Sequence, residues 1–191
     1  MDNKPVITIK PYEDKYRHAV QKICIDNAGH ADKPLEAKRY ILIMYCNYYI
    51  EQEPENCFVA VNENDEAVGY IICSEDYKKY RKIFNKRYIP QARTISFKKY
   101  CEAKLDMLSH ALWMKNYPAH LHIDIDSNYQ RLGIGTRLMD ALINHLKAKG
   151  VKPGLMLVVG ATNEQGRNFY KKYGFKELAI TKMGVAMGID L

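Results

Sequence analysis

The stretch Gln130-Arg131-Leu132-Gly133-Ile134-Gly135-Thr136 places two glycines between a segment of strand character, Ala119 to Asp126, and an amphipathic one, about Leu132 to Lys147. Glycines at the mouth of a helix leave backbone N–H groups uncovered and directed along the helix axis. With a partial positive charge of about half a unit at that end, such donors form an anion site, typically for phosphate. The amides of Leu132, Gly133, Gly135 and Thr136 are the expected donors. Arg131 adds a fixed charge that can bind phosphate bidentately, and Arg137 is expected to assist. A dinucleotide site of the doubly wound type would need a third glycine where Leu138 stands, and an acidic residue after the next strand. Val159-Gly160-Ala161 offers none.

Working outward, Leu138, Leu142 and Leu146, with Met139 and Ile143 beside them, form a stripe of helical period that reads as core. Upstream, His120, His122 and Asp124 alternate with Leu121, Ile123 and Ile125. Strand period sets the two groups on opposite faces. A row of ionisable groups on a central strand is costly unless it lines a cleft. Downstream lie a buried strand near Leu155–Val159, a helix from about Glu164 to Tyr173, and strands near Phe175–Ile180 and Val185–Asp190.

The N-terminal half begins with a strand at Val6–Ile9 and a helix over Tyr16 to Ala28. A second helix opens at Pro34 and carries Tyr40, Ile41, Met44, Tyr45, Tyr48 and Tyr49 up to Glu53-Pro54. Cys57–Val61 and Ala67–Cys73, joined by a polar turn, read as a hairpin. From Tyr77 to Tyr100 basic residues occur with no acidic one among them, interleaved with Tyr80, Phe84, Tyr88 and Phe97. This is read as a helical or irregular insertion spanning about 76–118, a solvated face with its aromatics packed inward. Strands and helices in this order give an α/β fold with a mixed sheet.

At 191 residues and 47% apolar, the chain is expected to be a single domain with a full core. Met1 to Pro11 has no basic region followed by an apolar run, so no signal peptide is expected, and no segment is long enough to span a bilayer. Five scattered cysteines without metal-ligand spacing read as buried thiols in a reducing cytosol, so a cytoplasmic location is expected. The formal charge of +7 favours an anionic ligand or partner.

Two motifs carry a resemblance to the GCN5-related N-acetyltransferase (GNAT) superfamily. One is Gln130-x-x-Gly133-x-Gly135 between a strand and a helix. The other is Asn163-x-x-Gly166-x-x-x-Tyr170-x-x-x-Gly174-Phe175 at the expected separation. The chain departs from the family at Gly166, where alanine is usual; glycine weakens a helix by about 1 kcal/mol. Within the superfamily, the strand His120–Asp124 and the helix end Tyr48-Tyr49-Ile50 with Glu53-Pro54 are similar to bacterial relatives of the acetyltransferase-like domain of O-GlcNAcase.

The resemblance implies the GNAT fold: a central mixed, mostly antiparallel sheet of about six or seven strands, flanked by about four helices, with the basic insertion after the third strand. It implies acetyl-CoA as acyl donor, held by Gln130, Arg131, Leu132, Gly133, Gly135, Thr136, Asn163, Gly166 and Tyr170 and by the strand residues Ile123 and Ile125. It implies direct transfer of an acetyl group to a primary amine of a small molecule or protein. Tyr170 is then the acid for the departing thiolate, since a phenol of pKa ~10 is protonated at neutral pH. Histidine, with a pKa near ~6.5, suits the base. His122 is expected in that role, with Asp124 orienting it or meeting the substrate, and with a structural hydrogen-bonded network as the alternative. Tyr45, Tyr48, Tyr49 and His120 are expected toward the acceptor, where tyrosine faces can hold a cationic amine. His-x-His-x-Asp also begins a zinc motif of metallo-β-lactamases, but Ile125 stands where that motif continues with histidine, and no metal is expected. Nucleic acid and membrane are not expected partners, and a homodimer through the late strands is open. The alternative functions are a non-catalytic acyl-CoA-binding or sensing domain and an RNA- or ribosome-associated acetyltransferase.

Overall fold

The computed structural model describes residues 5–181 and 184–191; residues 1–4, on which part of the leader expectation rests, lie outside the described residues. The chain opens with β1 (Thr8–Pro11), α1 (Arg17–Asn27), α2 (Leu35–Tyr45) and α3 (Asn47–Gln52), then the hairpin β2 (Cys57–Val61) and β3 (Ala67–Ser74). Three helices follow: α4 (Tyr77–Arg87), α5 (Ile89–Ile95) and α6 (Phe97–Ala111). The chain closes with β4 (Ala119–Ile125), α7 (Ile134–Ala148), β5 (Gly154–Val159), α8 (Glu164–Tyr173), β6 (Lys176–Ile180) and β7 (Val185–Asp190). The seven strands form one sheet in the order β1-β2-β3-β4-β5-β7-β6. Every pairing is antiparallel except β4–β5. The mixed, mostly antiparallel sheet expected from the sequence is therefore present.

Among the described residues the α-helices number eight rather than about four. The insertion supplies α4 to α6, and the second expected helix is split at Cys46, which leaves helical geometry at φ −136°. Tyr48, Tyr49 and Ile50 are all buried. Three consecutive positions cannot share one face of a surface helix, so the break lets α3 turn all of them inward.

The two sheet faces carry separate cores. On one, α1 to α6 pack tyrosines and aliphatic residues over Val59, Tyr70 and Ile72. On the other, α7 lays Leu138, Met139, Leu142, Ile143 and Leu146 against Leu121, Leu155 and Leu157. Burying each such side chain stabilises by about 1.5–3 kcal/mol, so packing rather than helix propensity holds α7 in place. In the insertion, Tyr80, Phe84 and Tyr88 are buried at helical spacing while Lys78, Lys79, Arg81, Lys82, Lys86 and Arg87 are exposed; Phe97 is exposed as well. No helix among the described residues is long and apolar enough to cross a membrane.

The feature that positions the site is a gap in the sheet. β4 and β5 pair only at Ala119↔Leu155 and His120↔Met156. Beyond these, β4 stays with β3 as far as Ile125, opposite Gly69, and β5 stays with β7 as far as Val159, opposite Val185. Each strand keeps its antiparallel neighbour, so the two splay apart toward their C-terminal ends.

Candidate active site

The splay opens into a cleft of ≈ 490 Å³ bounded by β4, the turn after it, the start of α7 and the face of α8. The turn is built from two left-handed residues, Arg131 at φ 63° and Gly133 at φ 77°. For arginine that conformation costs about 1–2 kcal/mol, a strain of the kind that gathers at functional sites. It swings the chain directly into α7, whose N-terminus has no side-chain cap. The N–H groups of that first turn have no intrahelical partner and face the cleft, which is lined by Gly133, Ile134, Gly135 and Thr136.

Glycine at 135 answers a different need. A Cβ there would stand 3.2 Å from the Phe169 ring and 3.6 Å from Cδ1 of Ile125, so glycine lets α8 and β4 close on α7. On α8, Asn163 is the N-cap and its Oδ1 accepts from the Gly166 N–H at 2.8 Å. A Cβ on Gly166 would come within 2.9 Å of the Asn163 side chain. The departure from alanine thus makes room for the cap. The amide of Asn163, expected to serve the ligand, is at least partly committed to its own helix.

Most of the residues expected at the cofactor site come together here. Ile123, Ile125, Gln130, Arg131, Gly133, Gly135, Thr136, Asn163, Gly166 and Tyr170 all line the cleft. Leu132 carries its side chain outward, 39% exposed. Gln130 donates from Nε2 to the carbonyl of Ile125 at 3.2 Å, tying the turn to β4. Arg137, expected to assist at the anion site, is engaged elsewhere: its guanidinium donates to the carbonyl of Ile7 at 2.9 Å and fastens the chain just before β1. One turn into α7, its side chain leaves the helix mouth and lies over the β1 edge.

Asp124 and Tyr170 both line the cleft, near enough for the charge of one to act on the other. Asp124 accepts a hydrogen bond from the hydroxyl of Tyr70 on β3. Burial pushes its carboxyl up to about 7, and the Tyr70 hydrogen bond acts in the opposite direction. Burial, then the charge of Asp124, pushes the Tyr170 phenol above its ordinary range, so it is protonated at neutral pH.

The histidines lie deeper on the same strand face. His122 Nε2 is 3.1 Å from the Tyr49 hydroxyl, and its ring meets Tyr45 edge-on at 5.4 Å. Burial, then the nearby His110, lowers it to about 3. His120 is 3% exposed, and among the described residues neither ring nitrogen has a hydrogen-bond partner. Burial lowers it well below the ordinary histidine range as well, helped by His110 and His122. Tyr45, Tyr49, His120 and His122 line a small, partly open cavity of ≈ 10 Å³ that α4 and α6 flank with Tyr77, Tyr80, Met107 and His110. The structure therefore separates the residues expected toward the acceptor from the open cleft.

Tyr48 lies in neither place. It is fully buried and donates to Oε1 of Glu53 at 2.7 Å, in a network with Ser74, Asn56 and the Glu75 N–H. Two residues that support the cleft went unread in the sequence, one at its edge and one buried behind Asp124. Asn27 ends α1 and its side-chain amide donates to the Ile125 carbonyl at 3.2 Å; nothing near it in the chain marks it for that contact. Tyr70 looked like core in a hairpin strand, and only the β3–β4 register sets it opposite Asp124.

Residues 20–175 match the family model described as Acetyltransferase (GNAT) family. An N-alpha-acetyltransferase of Sulfurisphaera tokodaii is 37% identical over 68 residues, 36% of this chain and 41% of that protein. The chain matches less than half the length of the curated relatives it resembles. A crystal structure of SsHAT superposes with a TM-score of 0.86 at 24% identity, covering 97% of this chain and 98% of the other. The PaiA N-acetyltransferase of Thermoplasma acidophilum, solved in complex with coenzyme A, superposes with a TM-score of 0.59 at 15% identity over 97% of this chain and 99% of its own.

Proposed function

The chain belongs to the acetyltransferase (GNAT) family, and from that premise we propose that it transfers the acetyl group of acetyl-CoA directly to a primary amine. The observation that carries this reading is the joining, around one cleft, of an uncapped helix N-terminus, a gap between two parallel strands, and the titratable side chains of Asp124 and Tyr170. The α7 mouth and Arg131 suit the diphosphate of the donor. The gap suits the extended pantetheine arm, with backbone N–H and C=O groups of Ile123 and Ile125 along it. Gly166 and Asn163 border the thioester from α8.

Asp124 is the group best fitted to take the proton from the incoming ammonium. Its carboxyl titrates at about 7, whereas His122 at about 3 holds protons too weakly to serve. The freed amine attacks the thioester carbonyl, the C–N bond forms, and the C–S bond breaks. Tyr170 gives its proton to the leaving thiolate and regains one as the second N–H proton leaves nitrogen. Holding donor and amine together supplies much of the acceleration.

Thiol release from acetyl-CoA, measured against a panel of a polyamine, a lysine peptide and a peptide with a free N-terminus, tests this. Release with at least one amine is expected. Binding of coenzyme A by calorimetry without release with any amine would favour the sensing domain, and no heat of binding at all would sink both. Tyr170→Phe should lower kcat about 10²-fold or more and leave the KM for acetyl-CoA nearly unchanged. Unaltered turnover would remove Tyr170 from the acid role.

A further inference from the structure

Tyr70 occupies the centre of β3 and is wholly buried. The β3–β4 register sets it directly opposite Asp124, and its hydroxyl donates to one carboxylate oxygen, Oδ2. Asp124 itself lines the cleft. The other ionisable groups around this pair come from several elements. His122 lies two positions back on β4. Tyr170 faces it from α8, Cys46 from the α2–α3 break, and Cys24, on α1, lies against Tyr70. None of these brings a positive charge at neutral pH. Burial with no cation nearby favours a neutral carboxyl. The hydroxyl of Tyr70 is the group in this set that hydrogen-bonds the ionised form.

We infer that Tyr70 is a positioning residue for acetyl transfer: it anchors Oδ2 of Asp124, so that the carboxylate forms within the buried end of the cleft and keeps its other oxygen for the amine. This rests on the acetyltransferase reading above. A hydrogen bond to the charged form favours that form, so removing it makes the carboxyl harder to ionise.

The test compares wild type with Tyr70→Phe, which keeps the ring and removes only the hydroxyl. Two readouts are used. The ¹³C titration of the Asp124 carboxyl reads protonation without turnover, and the pH profile of kcat/KM reads it through activity. The Asp124 midpoint is expected to move up by about one to two pH units. The acid limb of kcat/KM should move with it, and the KM for acetyl-CoA should hold. Activity near pH 6.5 should be about tenfold lower for a shift of one unit and nearer ~80-fold lower for two, and near pH 9 it should recover to about half of wild type or better. In an Asp124→Asn background, Tyr70→Phe should add no further shift to the pH profile. An unmoved Asp124 midpoint, or a loss of kcat that is uniform with pH, overturns the role given to Tyr70. A moved midpoint in a protein that releases no thiol leaves that contact standing and defeats the enzyme reading instead.

Discussion

At the scale of single residues, the two glycines of the turn are present for different reasons. Gly133 supplies a left-handed backbone at φ 77°, with nothing within 4 Å of where a Cβ would stand. Gly135 has ordinary backbone and supplies space against Phe169 and Ile125. Their variants should therefore fail differently. Gly133→Ala must hold alanine in a conformation costing about 1–2 kcal/mol, which for a chain of this size lowers Tm by roughly 2–8 °C. Gly135→Val overpacks against Phe169 and Ile125, at a cost of about 1–3 kcal/mol, and should weaken coenzyme A binding more than Gly133→Ala does, because Phe169 lines the cleft. Thermal melts and calorimetry on both variants check this, and equal losses of coenzyme A binding would show that the distinction is wrong. The glycine pair itself was legible in the sequence as an anion turn. Which glycine served the backbone and which served packing was not, because Phe169 and Ile125 arrive from other elements.

At the scale of elements, α8 is the helix whose ends can be read from the chain alone. Asn163 caps its start and Gly174, at φ 116°, closes it, as the local chemistry of caps requires. Asn163→Ala should cost about 1 kcal/mol, lowering Tm by roughly 2–4 °C, while Asn163→Asp should keep most of that stability. If Ala and Asp melt alike, the cap contributes little. The second helix shows the opposite case. Its tyrosines recur at helical spacing up to Glu53, yet the chain breaks at Cys46. The demand comes from the sheet and from α4, since Tyr48 and Tyr49 both pack on Tyr80 of α4 and Tyr49 also meets His122 of β4. Local periodicity carries no record of that demand.

At the scale of the whole molecule, the tyrosine-lined face between the sheet and the insertion sets how the protein answers to pH. His120 and His122 are held neutral by burial, His122 down to about 3, while an unfolded histidine titrates near ~6.5. Their contribution to stability is therefore complete above that value and is lost as pH falls below it. Asp124 has the opposite sign. Its carboxyl is raised to about 7 from an unfolded value near ~3.9, so its contribution is lost as pH rises through that window. Asp106, raised by burial on the same face, opposes the histidines as Asp124 does, so the histidine part is read by removing one ring and comparing urea midpoints at pH 7 and pH 5. His120→Leu, which removes a buried ring with no hydrogen-bond partner among the described residues, should match or exceed wild type at pH 7 and lose less at pH 5. An unchanged pH dependence would put the acid sensitivity elsewhere. The sequence by itself determined the turn, the amphipathic α7, the extent of α8, the alternation along β4 and the mixed sheet, because these rest on backbone geometry, on element order and on neighbours within a few positions. The tertiary structure alone decided that Tyr70 stands opposite Asp124, that Arg137 fastens the segment before β1, that Tyr48 serves Glu53, and that Asp124 rather than His122 titrates near neutrality. Strand register and desolvation are set by residues far apart in the chain, and no local pattern encodes them.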